Sequence, residues 1–488
     1  MIRTTFADFD RAASAMPLTP IIAEVPGDLD TALSTFIKIT RSPYRFLLES
    51  AESGGSRGRY SIIGDTPFLI FQSRGRQITL NNCLDNTQVA LEDDPFDVLQ
   101  NLLRKYARRA HAAPFACNGL FGYWGYDSVR HIEKLPVKAA ADLDLPEIHL
   151  FIPQRLVVFD NLLHKITLML FTRVTTTTLQ AYESAVEELK EIERLIRRPL
   201  AEELPLHREE KPTFESNLTR NEFERRVGVA KQHIAAGDVF QLVLSQRLKI
   251  PSSLPALQIY RGLRMINPSP YMFFLELGDV EVLGSSPETL VKLTAGEVAV
   301  KPIAGTIRRG QDEVEDQRLI QTLLDDPKER AEHLMLVDLG RNDVGRIAEF
   351  GSVRVEDFMT VEKYSHVIHL VSTVKGKLAG DRDAVDVFKA CFPAGTLTGA
   401  PKVRAMELIE ELEPTRRAVY GGAVGYMRFD GDMDVCIAIR TIMKKAGVLY
   451  LQAGAGIVAD SVPEHEYQET LNKAQGLLKA LELANGGL

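Results

Sequence analysis

Thr441-Ile442-Met443-Lys444-Lys445-Ala446-Gly447-Val448-Leu449-Tyr450-Leu451 reads as two apolar runs joined by a two-residue turn. Ala295-Gly296 and Asp430-Gly431 sit between similar runs. Arg74-Gly75 separates Phe68-Leu69-Ile70-Phe71 from Gln77-Ile78-Thr79-Leu80, and Asp160-Asn161 separates two more runs in the same way. Strands joined by tight turns pair antiparallel, because parallel neighbours need a crossover of roughly a dozen residues or more. The fold class that follows is α+β, not the doubly wound sheet of a nucleotide-binding fold.

Helical spacing fills the intervals, at about 219–236, 313–334, 383–391, 401–412 and 463–484. Tyr182, Val186, Leu189, Ile192 and Ile196 recur every three or four residues until Pro199 ends the pattern. Residues 199–214 are rich in Pro, Glu and Arg without periodicity and are expected to link 1–198 to 215–488.

Lys and Arg number 58 against 66 Asp and Glu, a net charge of −8, so the basic face of a general nucleic-acid binder is not expected. No apolar run approaches the ~18 residues of a membrane span, and the first residues lack the apolar stretch of a signal peptide. Cys83, Cys117, Cys391 and Cys436 form no CxxC pair, which suits a reducing cytoplasm rather than a disulfide framework. The expectation is a cytoplasmic enzyme.

Two helices each carry a carboxylate pair at i, i+3: Glu329 with Glu332, and Glu466 with Glu469. That spacing puts each pair on one helix face. If the faces meet, the four carboxylates suit a hard cation such as Mg²⁺; a solvated helix face shows the same spacing. Phe392-Pro393-Ala394-Gly395-Thr396-Leu397-Thr398-Gly399-Ala400-Pro401-Lys402 runs straight into an amphipathic helix, so its N–H groups either hold an anion or make a plain turn. Ala453-Gly454-Ala455-Gly456-Ile457-Val458 lacks the third glycine of a dinucleotide loop and reads as a bend, or as a loop whose N–H groups meet a carboxylate. His366 and His369 fall on opposite faces of a strand, as core residues or catalysts. Glu288 is an acid, a base or a turn charge, and Arg440, after an apolar run, needs an anion partner.

Together, Pro302-Ile303-Ala304-Gly305-Thr306, the run from Asp326 to Asp343, the loop and helix from Phe392, and the segments around Gly454 and Glu469 resemble the chorismate-utilising enzymes. Within them the similarity is to component I of anthranilate synthase, and it covers nearly all of 215–485. Leu47-Leu48-Glu49-Ser50 resembles that family's N-terminal regulatory segment. The resemblance implies two antiparallel β-sheets packed as a sandwich flanked by helices, with the N-terminal region packed on the catalytic core. It also implies a reaction: chorismate loses its 4-hydroxyl, ammonia adds at ring carbon 2, and pyruvate leaves as the ring aromatises.

By the same resemblance, Glu332 and Glu469 ligate Mg²⁺, with Glu329 and Glu466 beside them or acting through water. Tyr420, Arg440 and Lys473 bind substrate, with Gly454, Ala455, Gly456, Gly305 and Thr306. Glu288, with Thr396 near it, is the general acid for the leaving hydroxyl, which requires a raised pKa. His369, rather than His366, serves pyruvate elimination. Gln241 stands where water-adding relatives have lysine, and an amide cannot activate water as a base, so ammonia is favoured. Ala304 stands where many aminodeoxychorismate synthases have a ring-attacking lysine, so anthranilate is favoured.

Glu49, Ser50, Pro270, Tyr271 and Met272 match the family's tryptophan-inhibitor pocket, and ordinary core packing is the alternative. Thr398, Ile368 and Cys436 depart mildly from the family pattern without removing a chemical role. No glutaminase nucleophile motif appears, so a separate glutamine amidotransferase subunit, hence a hetero-oligomer, is expected to deliver ammonia. Two alternatives remain open: an aminodeoxychorismate synthase component I, and a non-catalytic tryptophan-binding subunit.

Overall fold

The computed structural model describes residues 2–14, 18–51, 57–107, 118–200, 213–363 and 367–486. Most of the expected linker, together with Cys117 and His366, lies outside the described residues.

The 441–451 stretch forms the hairpin its turn implies. Thr441–Lys445 pairs with Val448–Ile457, Lys445 opposite Val448. Ala446 and Gly447 both have positive φ, 49° and 75°, as a type I′ turn demands. Thr294 and Glu297 close the Ala295-Gly296 hairpin alike, and Arg74 pairs with Gln77, Asp160 with Lys165. Every ladder between named strands is antiparallel, as expected.

The ladders form one network with two runs. The first leads from Gln241–Pro251 through Val448–Ile457, Thr441–Lys445, Val280–Ser286, Tyr271–Leu277 and Tyr44–Ala51. The second leads from Gly119–Trp124 through Ala423–Arg428, Met433–Ile437, Thr289–Thr294 and Glu297–Val300 to Val367–Lys377. Two long strands, Arg57–Arg74 and Ile148–Asp160, belong to both, and their register shifts between Pro67 and Leu69. The first 198 residues form no separate sheet: Glu49 pairs with Met272, and Tyr123 with Val424.

Side chains from the two runs meet in the largest core cluster. Phe46 of the first run stacks on Phe121 of the second, with ring centroids 4.6 Å apart. A second core packs helices Ala32–Ile39, Thr178–Arg197, Ala256–Ile266 and Pro463–Gly486 against the sheet. Helix Ala256–Ile266 approaches the C-terminal helix so closely that a Cβ at Gly262 would lie 2.5 Å from the Ala480 carbonyl.

Two expectations of local structure are corrected. The helix expected at 313–334 is two, Glu313–Asp325 and Pro327–Gly345. Asp326 is extended, as residues before proline prefer, and its carboxylate accepts from the N–H groups of Lys328 and Glu329. Ala453–Ile457 neither bends nor loops: it stays in strand, with Gly454 opposite Ser245 and Gly456 opposite Val243. Among the described residues no helix is long and apolar enough to cross a membrane.

Candidate active site

Glu288 sits at the corner between strands Val280–Ser286 and Thr289–Thr294. Its carbonyl accepts from the N–H of Ile437 at 3.0 Å, which pins the corner to the second run. Its side chain is buried, and the Thr396 hydroxyl donates to its carboxyl at 2.7 Å. Burial pushes this carboxyl up to about 7, while Thr396 and Arg440 restrain the rise. A carboxyl half-protonated near neutrality is suited to give up a proton. Thr396 lies in a short 3₁₀ turn, Gly395–Leu397. Glycine lets the turn pack closely there: a Cβ at Gly395 would fall 1.9 Å from the end of the Leu339 side chain, which would have to move.

His369 is buried on strand Val367–Lys377 and its Nδ1 lies 3.2 Å from the Gly305 carbonyl. Gly305 has φ 74°, and the register shifts between Ala304 and Thr306, which turns that carbonyl toward the imidazole. Burial holds the imidazole below its usual range, and Arg440 adds to this. In the neutral ring the carbonyl selects the Nδ1–H tautomer, leaving the lone pair on Nε2 as a base.

His369, Arg440, Lys473 and Glu469 line one cleft of about 490 Å³, with Pro287 on its wall. Glu288, one residue on, faces a smaller cavity of about 40 Å³ with Thr396. Lys473 donates to the Gly454 carbonyl at 3.1 Å. Gly454 and Gly456 are two apart in one strand, so their N–H groups point to the same edge as that carbonyl. Strand Thr441–Lys445 covers that edge only over Val448–Leu451, so the glycine edge lies beyond it. Tyr420 and Gln241 join through these glycines: a Cβ at Gly454 would lie 2.9 Å from the Tyr420 hydroxyl, and one at Gly456 2.6 Å from the Gln241 amide nitrogen. The buried side-chain Oε1 of Gln241 has no hydrogen-bond partner among the described residues.

Of the four expected carboxylate ligands, Glu329, Glu332 and Glu466 are half-buried and Glu469 is exposed. Glu329 lies 3.4 Å from where a Cβ on Gly305 would be. Burial and the neighbouring Glu469 both raise Glu466, while Lys328 from the other helix lowers it, so the two helix starts face each other. Glu469 pairs with Lys473 at 2.7 Å. Among the described residues no three His, Cys, Asp or Glu side chains converge as a ready metal cage. The donor chemistry nonetheless fits Mg²⁺: it is all carboxylate, and Glu466 carries a repulsion that a dication relieves.

A third cavity, about 630 Å³, is lined by all five residues matched to the inhibitor pocket: Glu49, Ser50, Pro270, Tyr271 and Met272. Strand alternation separates them. Met272 packs into the helix-covered core with Phe274, while Phe273 faces the core between the two runs. Glu49 takes hydrogen bonds from Tyr260 at 2.8 Å and Arg264 at 2.9 Å, so its carboxylate is tied to helix Ala256–Ile266. Sequence reasoning missed Asp434 on the same cavity, which accepts from the Tyr271 hydroxyl at 2.8 Å and pairs with Lys292 at 3.2 Å. Only strand alternation could have flagged it.

The family model for chorismate binding enzymes matches residues 26–479. Anthranilate synthase component 1 of Acetivibrio thermocellus is 45% identical over 474 residues, covering 96% of each chain. That of Pseudomonas aeruginosa is 44% identical and covers 97% of each. Anthranilate synthase component I from Streptococcus pneumoniae superposes with a TM-score of 0.78 at 38% identity, over 86% of this chain and 92% of that one. The menaquinone-specific isochorismate synthase of Escherichia coli shares the fold, with a TM-score of 0.72 at 21% identity. With the match running almost end to end, the chain belongs to the chorismate-binding enzyme family, among its anthranilate synthase component 1 members.

Proposed function

We propose that this chain converts chorismate and ammonia to anthranilate, pyruvate and water, as the first committed step toward tryptophan. The observation that carries the reading is Glu288, buried, bonded to Thr396 and raised to about 7. In the reaction Glu288 gives its proton to the leaving 4-hydroxyl, which departs as water, while ammonia bonds to ring carbon 2 and sheds a proton. The Nε2 of neutral His369 then takes a ring proton as the ring–oxygen bond breaks, and the departing enolpyruvate gains a proton at its methylene carbon to become pyruvate. Arg440, Lys473 and the N–H groups of Gly454 and Gly456 hold the substrate carboxylates, with Tyr420, Gly305 and Thr306 around them. Arg440 and Lys473 bring positive charge to that cleft, which the chain's net negative charge does not forbid, because local groups set the field there. Glu332 and Glu469, supported by Glu329 and Glu466, would hold Mg²⁺, which supplies charge neutralisation for a substrate carboxylate when bound.

Three further expectations belong to this reading. Ammonia reaches the site from a glutamine amidotransferase subunit. Tryptophan inhibits through the 630 Å³ cavity beside Ser50 and Tyr271, with residues 1–198 as the regulatory region. The two strand runs are the leaves of a sandwich, a reading supported by the Phe46–Phe121 contact. The test is product balance. Purified chain given chorismate, ammonium and Mg²⁺ is expected to release pyruvate and anthranilate in equal amounts. Amination without pyruvate release would make it an aminodeoxychorismate synthase instead.

A further inference from the structure

Glu413-Pro414-Thr415-Arg416-Arg417 follows helix Lys402–Leu412 and reads in sequence as a charged surface turn. The structure buries its two ends: Arg417 is 2% exposed and Glu413 5%. Removing two charges from water is costly and is sustained only where the pair is closely matched and further hydrogen bonds hold it. Four of the five guanidinium hydrogens have a partner. Arg417 grips Glu413 with two bonds, Nε to Oε2 at 2.8 Å and Nη2 to Oε1 at 2.6 Å. Ser245 donates to the same carboxylate through its N–H at 2.9 Å and its hydroxyl at 2.7 Å.

Two further guanidinium hydrogens reach the substrate-facing segments. Nη1 donates to the Leu397 carbonyl at 2.6 Å, next to Thr396. Nη2 donates to the Val243 carbonyl at 2.8 Å, two residues from Gln241. The Val243 N–H in turn donates to the Thr398 carbonyl at 2.9 Å. The guanidinium carbon lies over two tyrosine rings, 4.7 Å from the Tyr126 centroid and 5.7 Å from that of Tyr420. Tyr126 comes from the N-terminal part of the chain, and its N–H donates to the Ala418 carbonyl at 2.7 Å.

We propose that Arg417, clamped by Glu413, is the positioning residue that sets Tyr420, the Thr396 turn and the Gln241 strand against one another. It touches no substrate. It acts through Tyr420 on chorismate binding and through Thr396 on Glu288. Around Glu288 the charged and titratable groups are Arg440 and the cavity-lining Lys301, Asp343 and Cys391, none of which bonds Arg417. Loss of the clamp therefore reaches Glu288 by way of Thr396. The role rests on the proposed reaction.

The test compares wild-type chain with Arg417→Lys and the milder Glu413→Gln, in which the amide oxygen still accepts from Ser245. Lysine keeps the charge but loses the fork that makes four hydrogen bonds to three partners at once. For Arg417→Lys, kcat/KM is expected to fall on the order of 100-fold, as small misplacements of reacting groups do, with KM for chorismate raised. The high-pH limb of kcat, measured at constant free ammonia, should move upward, because the hydrogen bond from Thr396 is the larger of the two influences that lower Glu288, Arg440 being the other. Glu413→Gln should shift both quantities in the same direction by less. A purely structural role would lower the melting temperature and leave KM and the limb unchanged in both variants, and that result overturns the proposal. Absence of wild-type turnover overturns the reaction, and the positioning role with it.

Discussion

The Thr396 hydroxyl and the buried Glu288 carboxyl are joined at 2.7 Å, and this bond restrains the rise that burial imposes on the acid. Removing the donor in Thr396→Val should raise Glu288 further. An acid that stays protonated to higher pH moves the high-pH limb of kcat upward, while loss of orientation lowers the plateau. The profile is to be measured at constant free ammonia, since ammonium titrates too. A limb that stays in place or moves down contradicts the pairing.

Glu288→Gln separates catalysis from stability. Turnover should fall about 10²–10⁴-fold, the usual worth of a positioned acid. Glu288 ionises at about 7 in the folded chain against 4.5 for an ordinary glutamate, so its burial subtracts ~3 kcal/mol of stability once pH has risen through 7 and nothing below about 4.5. Glutamine has no charge to bury. The variant should therefore be the more stable protein at pH 8 and no more stable than wild type at pH 4, as read by denaturant unfolding. Equal stability at both pH values would show that Glu288 is not buried as a titrating acid.

His369→Ala removes the base that the Gly305 carbonyl holds in its Nδ1–H form. Amination should continue while elimination stalls, so an aminated, pyruvyl-bearing intermediate accumulates and is visible by chromatography. Normal pyruvate release would assign the elimination to another group.

Glu332→Gln and Glu469→Gln should each abolish turnover without altering the fold, and excess MgCl₂ should restore part of the loss if the carboxylate acts on the metal. Glu469→Gln also removes the partner of Lys473. Lys473→Gln is therefore the control: it should raise KM for chorismate and leave the Mg²⁺ requirement unchanged. Full activity in both glutamine variants sinks the metal assignment.

Ser50 has no spare room on its strand side, since a Cβ at Gly58 would lie 1.7 Å from its hydroxyl. A bulky residue at position 50 must enter the 630 Å³ cavity. Ser50→Phe should raise the tryptophan concentration for half-inhibition more than about tenfold, ~1.4 kcal/mol, with chorismate kinetics unchanged. Unaltered inhibition would place the tryptophan site elsewhere.

The antiparallel fold was legible because X-Gly turns between apolar runs leave one pairing direction open, as at Ala446-Gly447. The pairing of Glu49 with Met272 was not, because partners so distant in sequence leave no local trace. The break at Asp326-Pro327 was hidden by helical spacing that continues in phase across it. Gly454 and Gly456 looked like a bend because glycine is usually read as a turn former. Here it serves close approach, to Tyr420 and Gln241. Glu288, His369 and the paired glutamates stood out by residue type and motif, and burial then supplied the raised and lowered proton affinities that no motif encodes. Arg417 and Asp434 were invisible for the opposite reason, since a charged residue reads as surface until its partner in the fold is seen, Glu413 for the one and Tyr271 for the other.

The decisive measurement is anthranilate fluorescence from the purified chain with chorismate, ammonium and MgCl₂ at mildly alkaline pH, with and without EDTA. The result expected is a signal that grows with enzyme and vanishes when the metal is chelated. Chorismate consumed with no anthranilate formed, or a rate indifferent to EDTA, would contradict it.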